Sequence, residues 1–225
     1  MSNIDTKLLT YLEGFVTDKR KKIFRTVLEN RTRHFTVVLE DIYQQHNASA
    51  VIRSCEIFGI QDLHMIENKY VSNVSKNITK GSQKWLSFHN YKKDTNNTAA
   101  CLNSLKSKGY QIIATSPHHN SDFLNDFDIS KKSAFVFGVE KTGVSDDVIN
   151  KSDGILKIPM VGFTESLNIS VAAAIILENL TYKLRTSAVD WGLTFLEKEE
   201  LYANWIEKTI NNVDKIKDRF LDKNS

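Results

Sequence analysis

The chain alternates short, strongly apolar runs with longer segments of helical periodicity, and this alternation limits the folds that it can adopt. FTVVLE (35–40), QIIATS (111–116) and SAFVFGV (133–139) are rich in apolar residues, as strands buried on both faces are. Helical segments are predicted between them. Strands that alternate with helices form parallel sheets covered on both faces. The sequence therefore predicts an open α/β domain with a mostly parallel sheet.

The remaining elements continue this pattern along the chain. Further strands are predicted over 62–67, 85–91 and 154–160, and helices over 46–59, 98–109, from Ser145, and over 168–184. Apolar residues at helical spacing also predict a helical segment before residue 34 and a helix over 196–222. The predicted organisation is an N-terminal helical extension (1–34), an α/β domain (35–185) and a C-terminal helical extension (186–225).

Positive charge is concentrated in the N-terminal extension. Residues 1–34 contain eight Lys or Arg and four acidic residues, a balance of +4, so the rest of the +3 chain sums to −1. A basic amphipathic segment suits a polyanion such as RNA. A run of charges is also typical of a solvated helix face, and this alternative stays open. The candidate RNA contacts are Lys19, Arg20, Lys21, Lys22 and Arg25.

Several classes of site are missing from the sequence. It contains no glycine-rich nucleotide loop of the GxGxxG or GxxxxGK[ST] type, and no GxSxG or HExxH. The histidines, including the pair His118–His119, are not spaced as metal ligands, so no metal is expected. Cys55 and Cys101 stand alone, which fits a reducing compartment. With no membrane-spanning run and no signal peptide, a cytoplasmic protein without membrane contact is expected.

Polar residues gather in three loops, each of which follows a predicted strand. The first leads to Asn47 and to Arg53, which lies opposite the apolar side of its helix; the second holds Glu140; the third is GFTESLNIS (162–170). Ligands of open α/β sheets bind beyond the carboxyl ends of the strands. The polar residues of the third loop are equally suited to capping the helix that follows. The residues alone thus predict a ligand-binding α/β domain.

Taken together, the three loops resemble a known family. HNASAVIRSCEIFGI, FVFGVEKTGVSDD and IPMVGFTESLNISVAAAI are similar, in order and spacing, to the three motifs of the SpoU/TrmH branch of the SPOUT RNA methyltransferases. ITKGSQKWL (78–86) is similar to the sequence between the first two motifs in that branch. The resemblance implies a deep trefoil knot in the C-terminal part of the domain, a homodimer with the knot in its interface, and S-adenosylmethionine as the cofactor.

The same resemblance assigns roles to individual residues. The catalytic group would be Asn47, Arg53, Glu140, Ser166 and Asn168, and the cofactor would contact Thr115, Gly138, Ile158 and Leu167, mostly through backbone atoms. His46 joins the basic residues of the extension as a candidate RNA contact. Because a guanidinium stays protonated, Arg53 is expected first to grip a phosphate and to stabilise the developing oxyanion, with loss of its own proton as the alternative.

Two positions depart from the family pattern. Val139 stands where many members have Asn or Ser, and Glu165 where many have Gln. An extra carboxylate near a sulfonium can alter cofactor affinity, but neither departure removes a catalytic group.

The implied activity is transfer of a methyl group to a ribose 2′-hydroxyl of RNA. The basic extension and the C-terminal helix are similar to those of family members that methylate guanosine 18 in the D-loop of tRNA. The alternatives are a ribosomal RNA 2′-O-methyltransferase and an RNA-binding protein on the same fold without turnover. The complete set of motif residues favours an enzyme.

Overall fold

A seven-stranded sheet forms the centre of the computed structural model, which describes residues 5–69, 81–93, 95–117, 122–140 and 142–224. The strands are β1 (Phe35–Glu40), β2 (Asp62–Ile66), β3 (Ser87–Tyr91), β4 (Gln111–Thr115), β5 (Asp122–Phe123), β6 (Ser133–Phe137) and β7 (Gly154–Lys157). Their order is β3-β2-β1-β6-β4-β7-β5, and every neighbouring pair is parallel. The predicted α/β architecture is confirmed. Residues 78–80 of ITKGSQKWL, Lys141 of FVFGVEKTGVSDD and the pair His118–His119 lie outside the described residues.

Eight α-helices accompany the sheet in the part of the chain that the structure describes. They are α1 (Thr6–Glu13), α2 (Asp18–Leu28), α3 (Gln45–Ile57), α4 (Asn97–Ser107), α5 (Asp146–Lys151), α6 (Ile169–Arg185), α7 (Phe195–Thr209) and α8 (Val213–Asn224). Short 3-10 turns cover Ser82–Trp85 and Leu124–Asp126. Neither of these turns was predicted, nor was the two-residue strand β5. Among the described helices, none has both the length and the apolar character needed to cross a bilayer.

The sheet separates two layers of core. Val37 and Leu39 of β1 pack in the cluster formed by the buried sides of α3 and α6. Val38, which points to the opposite face, packs with Leu102 of α4 and Val148 of α5. Because both faces of β1 are covered, its sequence is almost continuously apolar. The polar exceptions are Thr36 and the last residue, Glu40, and both are also buried.

Thr32–Trp191 form one compact unit, and the two ends of the chain, up to Arg31 and from Gly192, form another. The boundaries predicted at residues 34 and 185 differ from these. Thr32 forms a parallel bridge with Ile60, and its hydroxyl donates to the carbonyl oxygen of Trp191 at 2.6 Å. The residues on both sides of the predicted boundaries are therefore held in the α/β unit.

The terminal unit is built from α1, α2, α7 and α8 around the buried ring of Trp205, which meets Phe24 edge-on at a centroid distance of 5.7 Å. The prediction of one helix over 196–222 was wrong, because α7 and α8 are separate, and the helical segment predicted before residue 34 consists of two helices, α1 and α2. Thr17 caps α2 after a turn, and Asn212 has a φ of 54° between α7 and α8. In α2, Phe24 is buried, whereas the neighbouring Ile23 is 48% exposed.

His64 of β2 is a buried imidazole, 2% exposed, stacked on His89 with ring centroids 4.5 Å apart. Its Nδ1 lies 3.3 Å from the hydroxyl of Tyr91. Asp62 accepts a hydrogen bond from Nε of Arg33 at 3.0 Å and lies 3.5 Å from Nε2 of His89. Burial, aided by the charge of His89 and opposed by that of Asp62, lowers the pKa of His64 to about 3.

This buried histidine is expected to make the α/β unit sensitive to acid. The unfolded chain takes up a proton at His64 below the ordinary histidine pKa of 6.5, whereas the folded chain does so only near 3, so stability falls as the pH drops through that window. At pH 5 the loss is about 2 kcal/mol relative to pH 8. In urea titrations at both pH values, His64→Gln should lose less stability on acidification than the wild type. An identical pH dependence would contradict the role assigned to His64.

Candidate active site

A cavity of about 240 Å³ opens at the carboxyl ends of β4, β6 and β7, whose last residues Thr115, Phe137 and Lys157 line it. The loops that follow β6 and β7 form its sides, and α6 contributes Ile169 and Ile176. A pocket at this edge is expected where parallel strands end together. The cavity therefore lies where the sequence predicts a ligand.

The loop after β6 closes on itself at one wall of the cavity. The backbone N–H of Val139 donates to the oxygen of Gly143 at 2.9 Å, and the N–H of Gly143 donates back to Val139 at 2.7 Å. Gly138 packs so closely on the returning strand that a Cβ there would lie 2.1 Å from the carbonyl oxygen of Gly143. Val139 thus acts through its backbone, so the departure from the family pattern at this position leaves the loop closure intact.

Asn168 caps the long helix α6 and also links two motifs. Its Oδ1 accepts from the backbone N–H of Ser170 at 2.9 Å, and its Nδ2 donates to Oδ1 of Asn47 at 3.2 Å. Asn47 is 4% exposed, and its Nδ2 donates to Gln44. The capping role and a role in the site are therefore compatible, because the cap uses one end of the amide and the link to Asn47 uses the other.

Arg53 lies on the solvent side of α3, as predicted. Val51, Ile52 and Cys55 are buried while Arg53 is exposed. It makes no hydrogen bond or ion pair with any other residue that the structure describes, and it does not line the cavity of its own chain. The guanidinium is therefore available to a ligand from solvent.

The ionisable groups among the described lining residues are one carboxylate and one amine. Glu140 is exposed at the cavity, and Nζ of Lys157 lies 4.5 Å from the ring centroid of Phe123. Across the described ranges, no three His, Cys, Asp or Glu side chains are grouped to hold a metal ion. The cavity combines apolar walls with these two charges at its edge.

The model of the SpoU rRNA Methylase family matches residues 34–178, more than half of the chain. The chain belongs to this family. A relative from Borreliella burgdorferi, named tRNA (guanosine(18)-2′-O)-methyltransferase, is 41% identical over 206 residues, which cover 92% of this chain and 93% of the relative. The three polar loops all lie within the matched residues.

Solved SpoU structures share the fold. The Aquifex aeolicus TrmH/SpoU tRNA-modifying enzyme superposes with a TM-score of 0.76 at 30% identity, covering 87% of this chain and 98% of that one. AviRb of Streptomyces viridochromogenes, solved in complex with AdoMet, gives a TM-score of 0.60 at 21% identity, covering 72% and 62% of the two chains. The second similarity is one of fold.

The structure brings most of the predicted SpoU site residues together. The lining of the cavity includes Thr115, Gly138, Ile158, Leu167, Glu140 and Ser166. Asn47 and Asn168 are joined to each other but lie outside the lining, as does Arg53. Lys157 lines the cavity and was not predicted. Its place at the end of a strand was the signal that could have identified it, by the rule that ligands bind at the carboxyl edge.

The predicted RNA contacts differ in their surroundings. His46 is exposed beside the buried Asn47, and Lys19, Arg20 and Lys22 of α2 are exposed as well. Lys21 pairs with Asp18 at 2.8 Å. Arg25 makes a bidentate pair with Glu199 and lies 3.6 Å above the ring of Tyr202.

Proposed function

We propose that this protein is an S-adenosylmethionine-dependent methyltransferase that modifies the 2′-hydroxyl of guanosine 18 in tRNA. The observation that carries the proposal is the convergence of the motifs: the second and third build the cavity, and Asn47 of the first is hydrogen-bonded to Asn168 of the third. The name of the Borreliella burgdorferi relative, 41% identical over most of the chain, supports the choice of substrate. This function implies a cytoplasmic protein.

The residues of the cavity fit S-adenosylmethionine. Leu156, Ile158 and Leu167 offer apolar surface to a flat base, and Glu140 and Lys157 offer opposite charges to a zwitterionic amino acid end. Thr115 fits a backbone role, because its hydroxyl already donates to the carbonyl oxygen of Val136 at 2.9 Å. The bound cofactor supplies a methyl group on a positively charged sulfur.

In the proposed mechanism the protein orients the ribose and supports the charge that develops on it. Arg53 binds the phosphate beside the target ribose and stabilises negative charge on the 2′-oxygen as the hydroxyl proton passes to solvent water. Asn47, held by Asn168, and Glu140 orient the ribose and Arg53. Ser166 supports the third loop at the cavity. Alignment of the reacting atoms is the main contribution of such a site.

The proposal includes a trefoil knot around the third motif. Strand β7 lies between β4 and β5, both of which precede it in the chain. After β7 the chain enters the loop 158–168 and then α6, where Nζ of Lys183 donates to the carbonyl oxygens of Leu124 and Asn125 at 3.2 and 2.6 Å. An inserted strand followed by a return past earlier segments supports a threaded chain.

The proposal also includes a homodimer through this region. Val171, Ile175 and Tyr182 follow one another along one side of α6 and are 46%, 38% and 66% exposed. In the preceding loop, Val161 and Phe163 are fully exposed. Apolar side chains that share one exposed surface are typical of protein interfaces. Sedimentation equilibrium would measure the dimer directly.

The basic residues of α2 are proposed to contact tRNA phosphates. Replacing Lys19, Arg20 and Lys22 together by alanine should weaken tRNA binding and flatten its salt dependence by about one unit of log–log slope per lost contact. The target nucleotide should stay the same, because phosphate contacts position an RNA without reading its sequence. Lys21 and Arg25 belong to the same proposed surface, but their pairs with Asp18 and Glu199 leave them less available. Filter binding across ionic strengths measures the slope.

A matched control comes from three lysines at the amino edge of the sheet, the edge that does not hold the cavity. Lys108, Lys131 and Lys132 are exposed and precede β4 and β6. Their replacement by alanine removes the same charge and should leave the slope unchanged. If the α2 variant and the wild type had equal slopes, Lys19, Arg20 and Lys22 would form only a solvated helix face.

The proposed function is tested by methylation of separate RNA pools. Unmodified tRNA and ribosomal RNA are incubated with labelled S-adenosylmethionine, and the labelled nucleoside is mapped by mass spectrometry. Label in 2′-O-methylguanosine at position 18 of tRNA is expected. Label confined to ribosomal RNA would favour the alternative substrate, and binding without label would favour a protein without turnover.

A further inference from the structure

Glu40 is a buried carboxylate at the carboxyl end of β1, 3% exposed. Its Oε1 accepts hydrogen bonds from the hydroxyls of Thr98 at 2.7 Å and Ser145 at 2.8 Å. Its Oε2 accepts from the backbone N–H of Ser145 at 2.8 Å. These donors are neutral, so the carboxylate is held by a set of convergent dipoles. A charge buried in this way is costly unless such partners are in place.

The partners of Glu40 belong to the first turns of two helices on the same face of the sheet. Thr98 lies in the first turn of α4, and Ser145 is the N-cap of α5. The N-terminal end of a helix carries partial positive charge, which favours an anion beside it. Thr98 also accepts from Nδ2 of Asn68 at 2.8 Å, so the network reaches the segment after β2. Glu40 therefore ties together four segments that are distant in sequence.

One of these ties leads directly to the cavity. Ser145 follows Gly143 and Val144, which line the cavity. These three residues form the second half of the loop after β6, where the chain returns past Gly138 and Val139. At the start of this segment, Gly143 is paired with Val139 and packed against Gly138. At the opposite end of this segment, the two hydrogen bonds from Ser145 to Glu40 hold it in place. A shift of Ser145 would change the wall of the cavity, because the interior is close-packed.

We infer that Glu40 is a positioning residue that fixes residues 143–145 at the wall of the cavity and thereby sets the affinity for S-adenosylmethionine. The inference rests on the proposed function, since it takes the cavity to be the cofactor site. Glu40 does not line the cavity and acts on it only through Ser145. Its effect should therefore appear in the cofactor constants and not in those for tRNA.

The test variant is Glu40→Gln, which keeps the size of the side chain. A glutamine has one acceptor oxygen and one NH₂ donor, whereas Glu40 accepts hydrogen bonds at both oxygens. If the NH₂ group takes the place of Oε2, it faces the backbone N–H of Ser145, which is also a donor. If it takes the place of Oε1, the hydroxyls of Thr98 and Ser145 can no longer donate to that position and must turn to accept from it. The dissociation constant and KM for S-adenosylmethionine are expected to rise about tenfold, while KM for tRNA changes less than about twofold.

Asp62→Asn provides a matched control. Asp62 is also a buried carboxylate, 9% exposed, but it begins β2 at the opposite edge of the sheet and binds Arg33. Its replacement should lower the melting temperature without weakening the binding of S-adenosylmethionine in calorimetry. A loss of cofactor affinity confined to Glu40→Gln supports positioning, whereas equal losses in both variants would mean general destabilisation and overturn it.

A milder variant covers the case in which Glu40→Gln does not fold. Ser145→Ala keeps the backbone N–H bond to Glu40 and removes the hydroxyl bond, so the affinity for S-adenosylmethionine should fall severalfold. Unchanged affinity in Ser145→Ala, or in folded Glu40→Gln, would overturn the inference while leaving the proposed function standing. A wild-type chain that does not bind S-adenosylmethionine would instead overturn the proposed function itself.

Discussion

Replacing Arg53 by alanine is expected to lower methyl transfer to tRNA by roughly a thousandfold, the loss typical of removing a donor that stabilises a developing oxyanion. Affinity for S-adenosylmethionine should change less than about threefold, because Arg53 does not line the cofactor cavity. Single-turnover methylation and calorimetry measure the two effects separately. The stability of the domain should be nearly unchanged, since the side chain is exposed.

Arg53→Lys is the matched comparison, because lysine keeps the charge but lacks the planar fork that binds phosphate with two hydrogen bonds. It should recover a small part of the lost rate. Two results would show that the assigned role is wrong: turnover of the alanine variant near the wild-type rate, or loss of cofactor binding in that variant.

Gly138→Ala is expected to weaken the binding of S-adenosylmethionine by about a hundredfold, at the upper end of overpacking effects. The added Cβ would lie 2.1 Å from the oxygen of Gly143 and 2.3 Å from the nitrogen of Val144. These are backbone atoms, which cannot rotate away as the end of a flexible side chain can. The loop must therefore open, and the hydrogen bonds between Val139 and Gly143 are lost. Calorimetry and thermal unfolding measure the two consequences.

Gly162→Ala is the control for this substitution. Gly162 lies in the neighbouring loop, and a Cβ added there meets no atom within 4 Å. It should bind the cofactor with an affinity close to that of the wild type. If Gly138→Ala also bound the cofactor normally, the close approach of Gly138 to Gly143 would have no part in shaping the cavity.

Local signals in the sequence were sufficient for most of the α/β unit. β1 is predicted to the residue, because an apolar run between polar neighbours defines a buried strand at both ends. A helix was predicted from Ser145, and this residue is the N-cap of α5. The two-residue strand β5 was missed because Asp122 and Phe123 carry no alternation that a pattern can detect. The breaks in the terminal helices were missed because apolar spacing continues across them.

The residues of the candidate site could be predicted where they lie beside strand ends. Hydrogen bonds between residues far apart in the sequence could not. The cavity residues after β6 and β7 follow from the rule for carboxyl edges. The bond between Asn47 and Asn168 and the bonds of Glu40 to Ser145 join residues about a hundred positions apart. Glu40 did carry one local signal, since it is the charged end of an otherwise buried strand, but its partners could not be read from the sequence.

The order of the strands also limits when the chain can finish folding during its synthesis. β4 and β5 leave the ribosome before β7, which comes to lie between them. Until Gly154–Lys157 has been translated, the facing edges of these two strands have no partner in the sheet, and such edges invite pairing with other chains. The wall that Lys157 adds to the cavity is missing for the same period. A nascent chain that stops short of β7 therefore has an aggregation-prone edge and an incomplete pocket at once, which links solubility during translation to the assembly of the site.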